Sequence, residues 1–197
     1  MKAMVLAAGK GTRLFPLTGE IPKPMAPVAG KPIIQHIFEL LARMGVEEVN
    51  VNVHYLAGSI LSSYGERGRV ADTEIRFARE DKLMGTAGGV KRLADRFVGE
   101  TFVVVMGDAL TDVDISQIVA FHKEDGAVAT LALTRVGDVS EYGVVEIDPF
   151  GNVLRFQEKP DPEEAISNLA NTGIYILEPK VLEYIAEDTF FDFATDL

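Results

Sequence analysis

The sequence predicts an α/β fold, in which helices cover both faces of a central β-sheet. Short apolar runs typical of strands alternate with segments whose apolar residues recur at helical spacing, without a linker, repeat or low-complexity stretch. The 197 residues are 47% hydrophobic, which is enough for one sizeable core and too little chain for two comfortable domains. We therefore expect residues 1–197 to form one domain.

Five strands and five helices follow from this pattern. The predicted strands lie near residues 3–6, 48–53, 74–78, 102–106 and 128–134. The predicted helices lie near residues 32–44, 57–64, 87–95, 115–125 and 179–185. Pro32 suits the first turn of its helix, and Asp114 is expected to cap the helix that follows it. Residues 142–157 alternate around a turn and predict a hairpin, which we expect to form one wall of a cleft.

A loop rich in small and basic residues follows the first predicted strand. Its sequence, Ala7-Ala8-Gly9-Lys10-Gly11-Thr12-Arg13, combines glycines that permit positive φ with an arginine fork suited to phosphate oxygens. A P-loop is excluded because Thr12 and Arg13 follow Gly11, where that motif needs Lys and then Ser or Thr. The dinucleotide fingerprint is excluded because its third glycine would fall at Leu14. We predict an anion site of another kind.

The charge distribution favours a small anionic ligand. The net charge is −11, yet residues 1–35 hold five basic residues and one acidic residue. A basic segment on an acidic body suits a polyanion bound in one cleft, whereas nucleic acid needs a long basic face, so we expect no nucleic-acid partner. The chain has no cysteine, and its N-terminal apolar run is too short for a signal peptide or a membrane span. We expect a cytoplasmic protein with no membrane partner.

Six segments along the chain resemble a known family. They are Leu6-Ala7-Ala8-Gly9-Lys10-Gly11-Thr12-Arg13-Leu14 with Pro22-Lys23-Pro24, and then, in order, Met84-Gly85-Thr86-Ala87-Gly88-Gly89, Met106-Gly107-Asp108, Tyr142-Gly143-Val144-Val145, Gln157-Glu158-Lys159-Pro160 and Asn171-Thr172-Gly173-Ile174-Tyr175. Together they resemble the sugar-phosphate nucleotidyltransferases, also called NDP-sugar pyrophosphorylases. The second segment most resembles the mannose-1-phosphate guanylyltransferase branch of that family. The resemblance covers nearly the whole chain.

The resemblance implies a Rossmann-like mixed sheet, the nucleotide-diphospho-sugar transferase fold. It also implies a Mg²⁺-dependent enzyme in which a sugar 1-phosphate attacks the α-phosphorus of a nucleoside triphosphate and expels pyrophosphate. GTP with mannose 1-phosphate is the first expected pair of substrates, and UTP or dTTP with glucose 1-phosphate is the alternative. A catalytically silent nucleotide-sugar sensor or regulatory subunit on the same fold is a further alternative. Assembly as a homo-oligomer stays open.

The resemblance assigns site residues by position. The expected catalytic residues are Arg13, Lys23 and Asp108, of which Asp108 also binds the metal ion. The expected nucleotide-binding residues are Leu6, Ala7, Ala8, Gly9, Gly11, Thr12, Arg13, Lys23, Glu80, Gly85, Thr86 and Ala87. The expected sugar-phosphate-binding residues are Gly143, Glu158, Lys159, Asn171 and Thr172.

Simpler roles compete with the catalytic assignments. Without the resemblance, Arg13 and Lys23 are solvated surface cations and Asp108 is a turn residue at a strand end. Lys23 stands between Pro22 and Pro24, which predicts a stiff extended segment that positions its ammonium group. Asp108 has the chemistry for Mg²⁺, because that ion on a triphosphate takes one or two carboxylates with phosphate oxygens and water.

Glu80 has two competing interpretations. It lies five residues before Gly85, where the family places a residue that contacts the base. A carboxylate only accepts hydrogen bonds, and guanine offers two adjacent donors, so a contact of Glu80 with guanine is one interpretation. The other is a solvated glutamate in the charged run Arg79-Glu80-Asp81-Lys82.

The C-terminal residues 190–197 form an apolar run without a helix-ending signal. Family members continue with a segment that includes a second metal-binding aspartate, and no matching motif occurs in this sequence. We therefore expect a truncated catalytic domain that binds nucleotide and catalyses weakly or not at all.

Overall fold

Eleven strands and four α-helices make up the fold in the computed structural model, which describes residues 1–197. The strands are Lys2–Ala7 (β1), Pro27–Val28 (β2), Lys31–Pro32 (β3), Glu48–Val53 (β4), Arg67–Val70 (β5), Thr73–Arg79 (β6), Phe102–Met106 (β7), Ala129–Arg135 (β8), Gly143–Ile147 (β9), Val153–Glu158 (β10) and Leu169–Leu177 (β11). The α-helices are Ile33–Arg43 (α1), Ala57–Tyr64 (α2), Gly85–Lys91 (α3) and Ile115–Asp125 (α4). Short 3₁₀ helices cover Thr12–Leu14, Leu17–Gly19, Lys23–Met25, Ala94–Arg96 and Pro179–Tyr184.

Parallel strands form the centre of the main sheet. β1 pairs in parallel with β4 and with β7, and β4 pairs in parallel with β6. β1 and β7 consist mostly of buried apolar residues, as expected for parallel strands covered on both faces. Because these strands point the same way, the glycine loop after β1 and Asp108 after β7 emerge at the same edge. This common edge confirms the placement expected from the sequence.

Antiparallel strands flank the parallel centre. β11 pairs with β7, β8 and β9, and β5 pairs with β6 at the far edge. β9 and β10 form the predicted hairpin. The strand order is β10-β9-β11-β7-β1-β4-β6-β5, with β8 also paired to β11, and β2 and β3 form a separate ribbon. The main sheet is therefore mixed.

Helices cover both faces of this sheet. α1, α2 and α4 bury residues such as Ile34, Ile60 and Ile115 in the larger of two apolar clusters. α3 and the C-terminal 3₁₀ helix contribute Val90 and Leu182 to the second cluster, which lies on the opposite face. The predicted fold class is confirmed. No helix combines the length with the apolar character that crossing a bilayer requires.

Some element boundaries differ from the predicted ones. α1 begins at Ile33, because Pro32 keeps extended backbone angles and stays outside the helix. The helix expected over residues 87–95 ends at Lys91 and is followed by a separate 3₁₀ turn. The segment near 179–185 is a 3₁₀ helix rather than an α-helix. β2, β3, β5 and β11 were not predicted. β2 and β3 are only two residues long, β5 carries charged residues without apolar alternation, and β11 contains a glycine at positive φ.

Asp114 is the N-cap of α4, as predicted. Its side chain accepts a hydrogen bond from the backbone N–H of Ser116 at 3.0 Å. Gly126 ends the helix in the left-handed conformation that a glycine adopts without steric cost.

Candidate active site

The glycine loop presents unpaired backbone donors at the carboxyl edge of the sheet. The backbone N–H groups of residues 8–11 donate to no other backbone group. Gly11 has φ 61, and a Cβ there would lie 2.7 Å from the Cβ of Lys23, so the loop needs glycine for two reasons. The Thr18 hydroxyl donates to the Gly11 carbonyl at 2.9 Å, and this hydrogen bond fixes the loop backbone. The loop therefore offers N–H groups to an anion, as its sequence predicts.

Two cavities lie at this edge of the sheet, and the smaller one, of about 240 Å³, opens beside this loop. Seven of the expected nucleotide-binding residues line it: Leu6, Ala7, Ala8, Gly9, Lys23, Gly85 and Thr86. Asn52, Asp108 and Asp192 line it as well. Gly11, Thr12, Glu80 and Ala87, which were also expected to bind nucleotide, line neither this cavity nor the larger one described next.

A larger cavity of about 830 Å³ lies between the hairpin and the bent strand β11. All five expected sugar-phosphate residues line it: Gly143, Glu158, Lys159, Asn171 and Thr172. Gly143 begins β9 and Glu158 ends β10, so the hairpin does form one wall of the cleft. A Cβ on Gly143 would lie 2.9 Å from the Glu158 carboxylate, so a larger residue at that position would displace this side chain.

The two cavities meet at a small set of shared residues. Those that line both are Lys23, Thr86, Met106, Asp108 and Asp192. At this junction the Lys23 ammonium donates to the Asp108 carboxylate at 2.8 Å, and both side chains are partly exposed. A group held in one cavity and a group held in the other therefore both border this ion pair.

Each basic residue expected to bind phosphate is paired with a carboxylate. In addition to the Lys23 pair, Arg13 donates to Glu141 at 2.8 Å, and Lys159 pairs with the adjacent Glu158. The Arg13 side chain is 67% exposed, so its pair lies in solvent at the mouth of the cleft. Exposed pairs of this kind are weak and exchange partners readily, so a phosphate can displace the carboxylate.

Lys23 begins a 3₁₀ turn, so the extended segment predicted from the flanking prolines is wrong. The N–H of Met25 donates to the Pro22 carbonyl at 2.8 Å, and the N–H of Ala26 donates to the Lys23 carbonyl at 3.0 Å. Pro24 fits inside such a turn because its fixed φ matches 3₁₀ geometry and its missing N–H is not needed there. The turn holds Lys23 at the junction.

The side of the larger cavity formed by β11 is held by a hydrogen-bond network within that strand. Asn171 donates from Nδ2 to the Tyr175 hydroxyl at 2.7 Å and accepts the Gly173 N–H at 3.0 Å. Burial raises the pKa of Tyr175, so its hydroxyl stays protonated at neutral pH. Gly173 has φ 75, and a Cβ there would lie 2.2 Å from Cγ of Met106. The bend at Gly173 therefore brings β11 against the junction.

The C-terminal segment caps the start of α3. The Asp192 carboxylate accepts from the N–H of Thr86 at 2.9 Å and from its hydroxyl at 2.7 Å. The Phe191 carbonyl accepts from the N–H groups of Ala87 and Gly88, both at 2.9 Å. A Cβ on Gly85 would lie 2.6 Å from that carbonyl oxygen. The N–H groups of Thr86 and Ala87 are thus satisfied within the protein, and no local sequence signal points to Asp192 because this contact spans 106 positions.

Glu80 is buried rather than solvated. It is 2% exposed, so it is not a solvated glutamate, and its side chain lines neither cavity. Its carboxylate accepts from the Asn52 side chain at 2.8 Å and lies 3.4 Å from the N–H of Met84. The structure therefore gives no support to a contact between Glu80 and a base.

The donor set at the junction fits a magnesium ion held jointly with phosphates. No group of three or more His, Cys, Asp or Glu side chains is placed to hold a metal ion by itself. Mg²⁺ on a nucleoside triphosphate needs only one or two carboxylates, because phosphate oxygens and water complete its shell. Asp108 lines both cavities and supplies such a carboxylate.

Comparisons with known proteins agree with this architecture. Residues 2–193 match the family model described as nucleotidyl transferase. A UTP–glucose-1-phosphate uridylyltransferase from Synechocystis sp. is 45% identical, with 100% of this chain and 54% of that protein covered. A mannose-1-phosphate guanylyltransferase from Mycobacterium tuberculosis is 36% identical, with 94% of this chain and 51% of that protein covered. The chain spans about half the length of these curated relatives.

A solved structure shows the same fold. The crystal structure of HddC from Yersinia pseudotuberculosis complexed with GMP-PN superposes with a TM-score of 0.84 and 29% sequence identity, and the match covers 100% of this chain and 84% of that one. The preference for GTP and mannose 1-phosphate is not confirmed, because the uridylyltransferase has a higher identity than the guanylyltransferase. The family itself is established over nearly the whole sequence, and the chain belongs to the sugar-phosphate nucleotidyltransferases.

Proposed function

We propose that the protein transfers a nucleotidyl group from a nucleoside triphosphate to a sugar 1-phosphate, giving an NDP-sugar and pyrophosphate. The observation that carries this proposal is the junction of the two cavities at Lys23 and Asp108. One cavity borders an anion-binding glycine loop, and the other holds every residue expected to bind a sugar phosphate. Two phosphorylated substrates bound there would meet beside a cation and a metal-binding carboxylate.

The chemistry needs alignment and charge stabilisation. A phosphate oxygen of the sugar 1-phosphate forms a bond to the α-phosphorus, and the bond from that phosphorus to the bridging oxygen breaks, so the electron pair leaves on pyrophosphate. The attacking oxygen is already anionic, so no protein base has to remove a proton. The protein contributes by orienting the two substrates and by stabilising the charge on the leaving group.

Each part of the cleft has a role in this reaction. The loop N–H groups of residues 8–11 hold phosphate oxygens, and Lys23 faces the charge that develops as pyrophosphate leaves. Arg13 binds phosphate after it exchanges Glu141 for a phosphate oxygen, and Lys159 binds the phosphate of the sugar. Mg²⁺ held by Asp108 with phosphate oxygens would neutralise charge on the triphosphate.

We propose UTP with glucose 1-phosphate as the first pair to test, and GTP with mannose 1-phosphate as the second. Two sequence observations favour guanine: the resemblance of residues 84–89 to the guanylyltransferase branch, and a contact between Glu80 and the base. The burial of Glu80 speaks against the second of these. The name of the 45% identical relative supports the first pair, and the guanylyltransferases among the relatives support the second.

The test is a pyrophosphate-release screen of the four nucleoside triphosphates, each against glucose 1-phosphate and mannose 1-phosphate, with the products identified by mass spectrometry. It is run on the 197-residue chain and on the longest natural protein that contains it. Matching NDP-sugar and pyrophosphate formation supports the proposal. Tight nucleotide binding without turnover in both proteins would instead identify a nucleotide-sugar sensor. The cytoplasmic location stays a prediction, and light scattering after size-exclusion chromatography measures the oligomeric state, which the sequence leaves open.

A further inference from the structure

A buried polar pair lies behind the glycine loop, at the ends of three adjacent parallel strands. Asn52 is the penultimate residue of β4, and Glu80 directly follows β6. Both residues are about 2% exposed. Buried carboxylates and amides are rare without a specific role, because each must be fully hydrogen-bonded to offset its loss of water.

The pair is tied to the glycine loop through one hydrogen bond. The Asn52 Oδ1 accepts from the N–H of Ala7 at 2.9 Å, at the point where β1 gives way to the loop. Asn52 Nδ2 donates to the Glu80 carboxylate at 2.8 Å. The backbone of Glu80 is itself fixed, since its N–H donates to the Val53 carbonyl at 2.8 Å and its carbonyl contacts Nδ1 of His54 at 2.9 Å. Glu80 therefore holds Asn52, and Asn52 holds the start of the loop.

The chemistry of Glu80 sets the orientation of the Asn52 amide. A carboxylate only accepts hydrogen bonds, so the NH₂ of Asn52 must face Glu80 and its carbonyl oxygen must face the N–H of Ala7. The second carboxylate oxygen faces the N–H of Met84, the residue before α3. A glutamine at position 80 would turn an NH₂ toward one of these two donors. Only a carboxylate accepts from the Asn52 amide and faces the N–H of Met84 with an acceptor at the same time.

Gly89 leaves room for the pair. It lies inside α3, and a Cβ there would sit 2.6 Å from Asn52 Nδ2 and 2.9 Å from Glu80 Oε1. These two atoms are the far ends of flexible side chains, so Gly89→Ala would shift the pair without opposing the backbone. The third glycine of the segment Gly85-Thr86-Ala87-Gly88-Gly89 is thus explained by this packing rather than by a ligand.

We propose that Glu80 and Asn52 are positioning residues that fix the glycine loop for triphosphate binding, and that Glu80 acts through Asn52 instead of contacting the base. This inference rests on the proposed function. It predicts that disturbing the pair weakens binding of all nucleoside triphosphates by the same factor, because the loop N–H groups bind phosphates and phosphates are common to every nucleotide.

The test measures dissociation constants of UTP and GTP with Mg²⁺ by calorimetry for the unaltered chain, Glu80→Gln and Gly89→Ala. Both variants are expected to raise both constants by about tenfold or more, by analogy with the loss of groups that orient a ligand-binding side chain. The ratio of the two constants should stay unchanged. Asn50→Ala is the matched control, because Asn50 is a buried asparagine on the same face of β4 that hydrogen-bonds Arg96 and lines neither cavity. It should lower the melting temperature and leave both constants as they are.

Two results would overturn the inference. A changed ratio of the UTP and GTP constants in Glu80→Gln would mean that Glu80 contacts the base. Unchanged constants in Gly89→Ala together with a lowered melting temperature would mean that the pair only stabilises the fold. If the unaltered chain binds no nucleotide, the proposed function fails instead. In that case hydrogen exchange at the Ala7 amide tests whether the pair fixes the loop. The exchange rate should rise in both variants and stay unchanged in Asn50→Ala.

Discussion

Replacing Lys23 by methionine should separate catalysis from stability. The Lys23 ammonium lies 2.8 Å from the Asp108 carboxylate and lines both cavities. Methionine keeps most of the length of the side chain and removes the charge. The change therefore leaves the shape of the junction nearly intact while deleting the cation that faces the leaving pyrophosphate.

The magnitudes of the two effects differ strongly. The pair is partly exposed, so its loss should cost only about 0–1 kcal/mol of folding free energy. A cation that faces developing negative charge is worth roughly 3 kcal/mol in the transition state, which corresponds to about a 100-fold change in rate. We expect kcat/KM to fall by about 100-fold or more, with the melting temperature changing by no more than a few degrees.

The assay is pyrophosphate release with the best substrate pair, combined with thermal unfolding. Lys31→Met is the matched control, because Lys31 also forms a 2.8 Å ion pair, with Glu39 on α1, and lines neither cavity. Activity of Lys23→Met within about threefold of the unaltered protein would place Lys23 among ordinary surface cations and refute the reasoning.

Three further changes test other parts of the site and the fold. Arg13→Ala should lower kcat/KM by about 100-fold without unfolding the protein, and wild-type kinetics would show that the arginine serves only its solvent-exposed pair with Glu141. Gly173→Ala should lower the melting temperature and kcat/KM together, because its Cβ would meet Met106 at 2.2 Å, while Gly126→Ala carries the same positive-φ cost of about 1–2 kcal/mol without a clash and should leave kcat/KM unchanged. Hydrogen bonds from Thr101 and then from His122 hold the pKa of Glu178 below its usual 4.5, so this carboxylate stabilises the fold above that pH and its contribution is lost as the pH falls through the lowered pKa. Urea unfolding at neutral and acidic pH should show a smaller acid-induced loss of stability in Glu178→Gln, and an equal loss would contradict this role.

Sequence patterns predicted the parts of the molecule that depend on neighbouring residues. α2, α4, β4 and β7 have the predicted bounds, and Asp114 caps α4, because amphipathic periodicity, β-branched runs and capping groups act within a few positions. The glycine loop and Asp108 were placed at one edge because parallel strands must end on the same side. All five residues that the motifs led us to expect at a sugar phosphate line the larger cavity.

The sequence by itself determined the fold class, the family and the loop that offers N–H groups to an anion, since these follow from local chain geometry and ordered motifs. Only the tertiary structure decided which polar groups are already satisfied within the protein. The Glu80 carboxylate accepts a hydrogen bond from Asn52, 28 positions away, and the N–H of Thr86 donates to Asp192, 106 positions away. A buried group that is already hydrogen-bonded within the protein has little capacity left for a ligand, and partners from distant segments meet only when the chain folds.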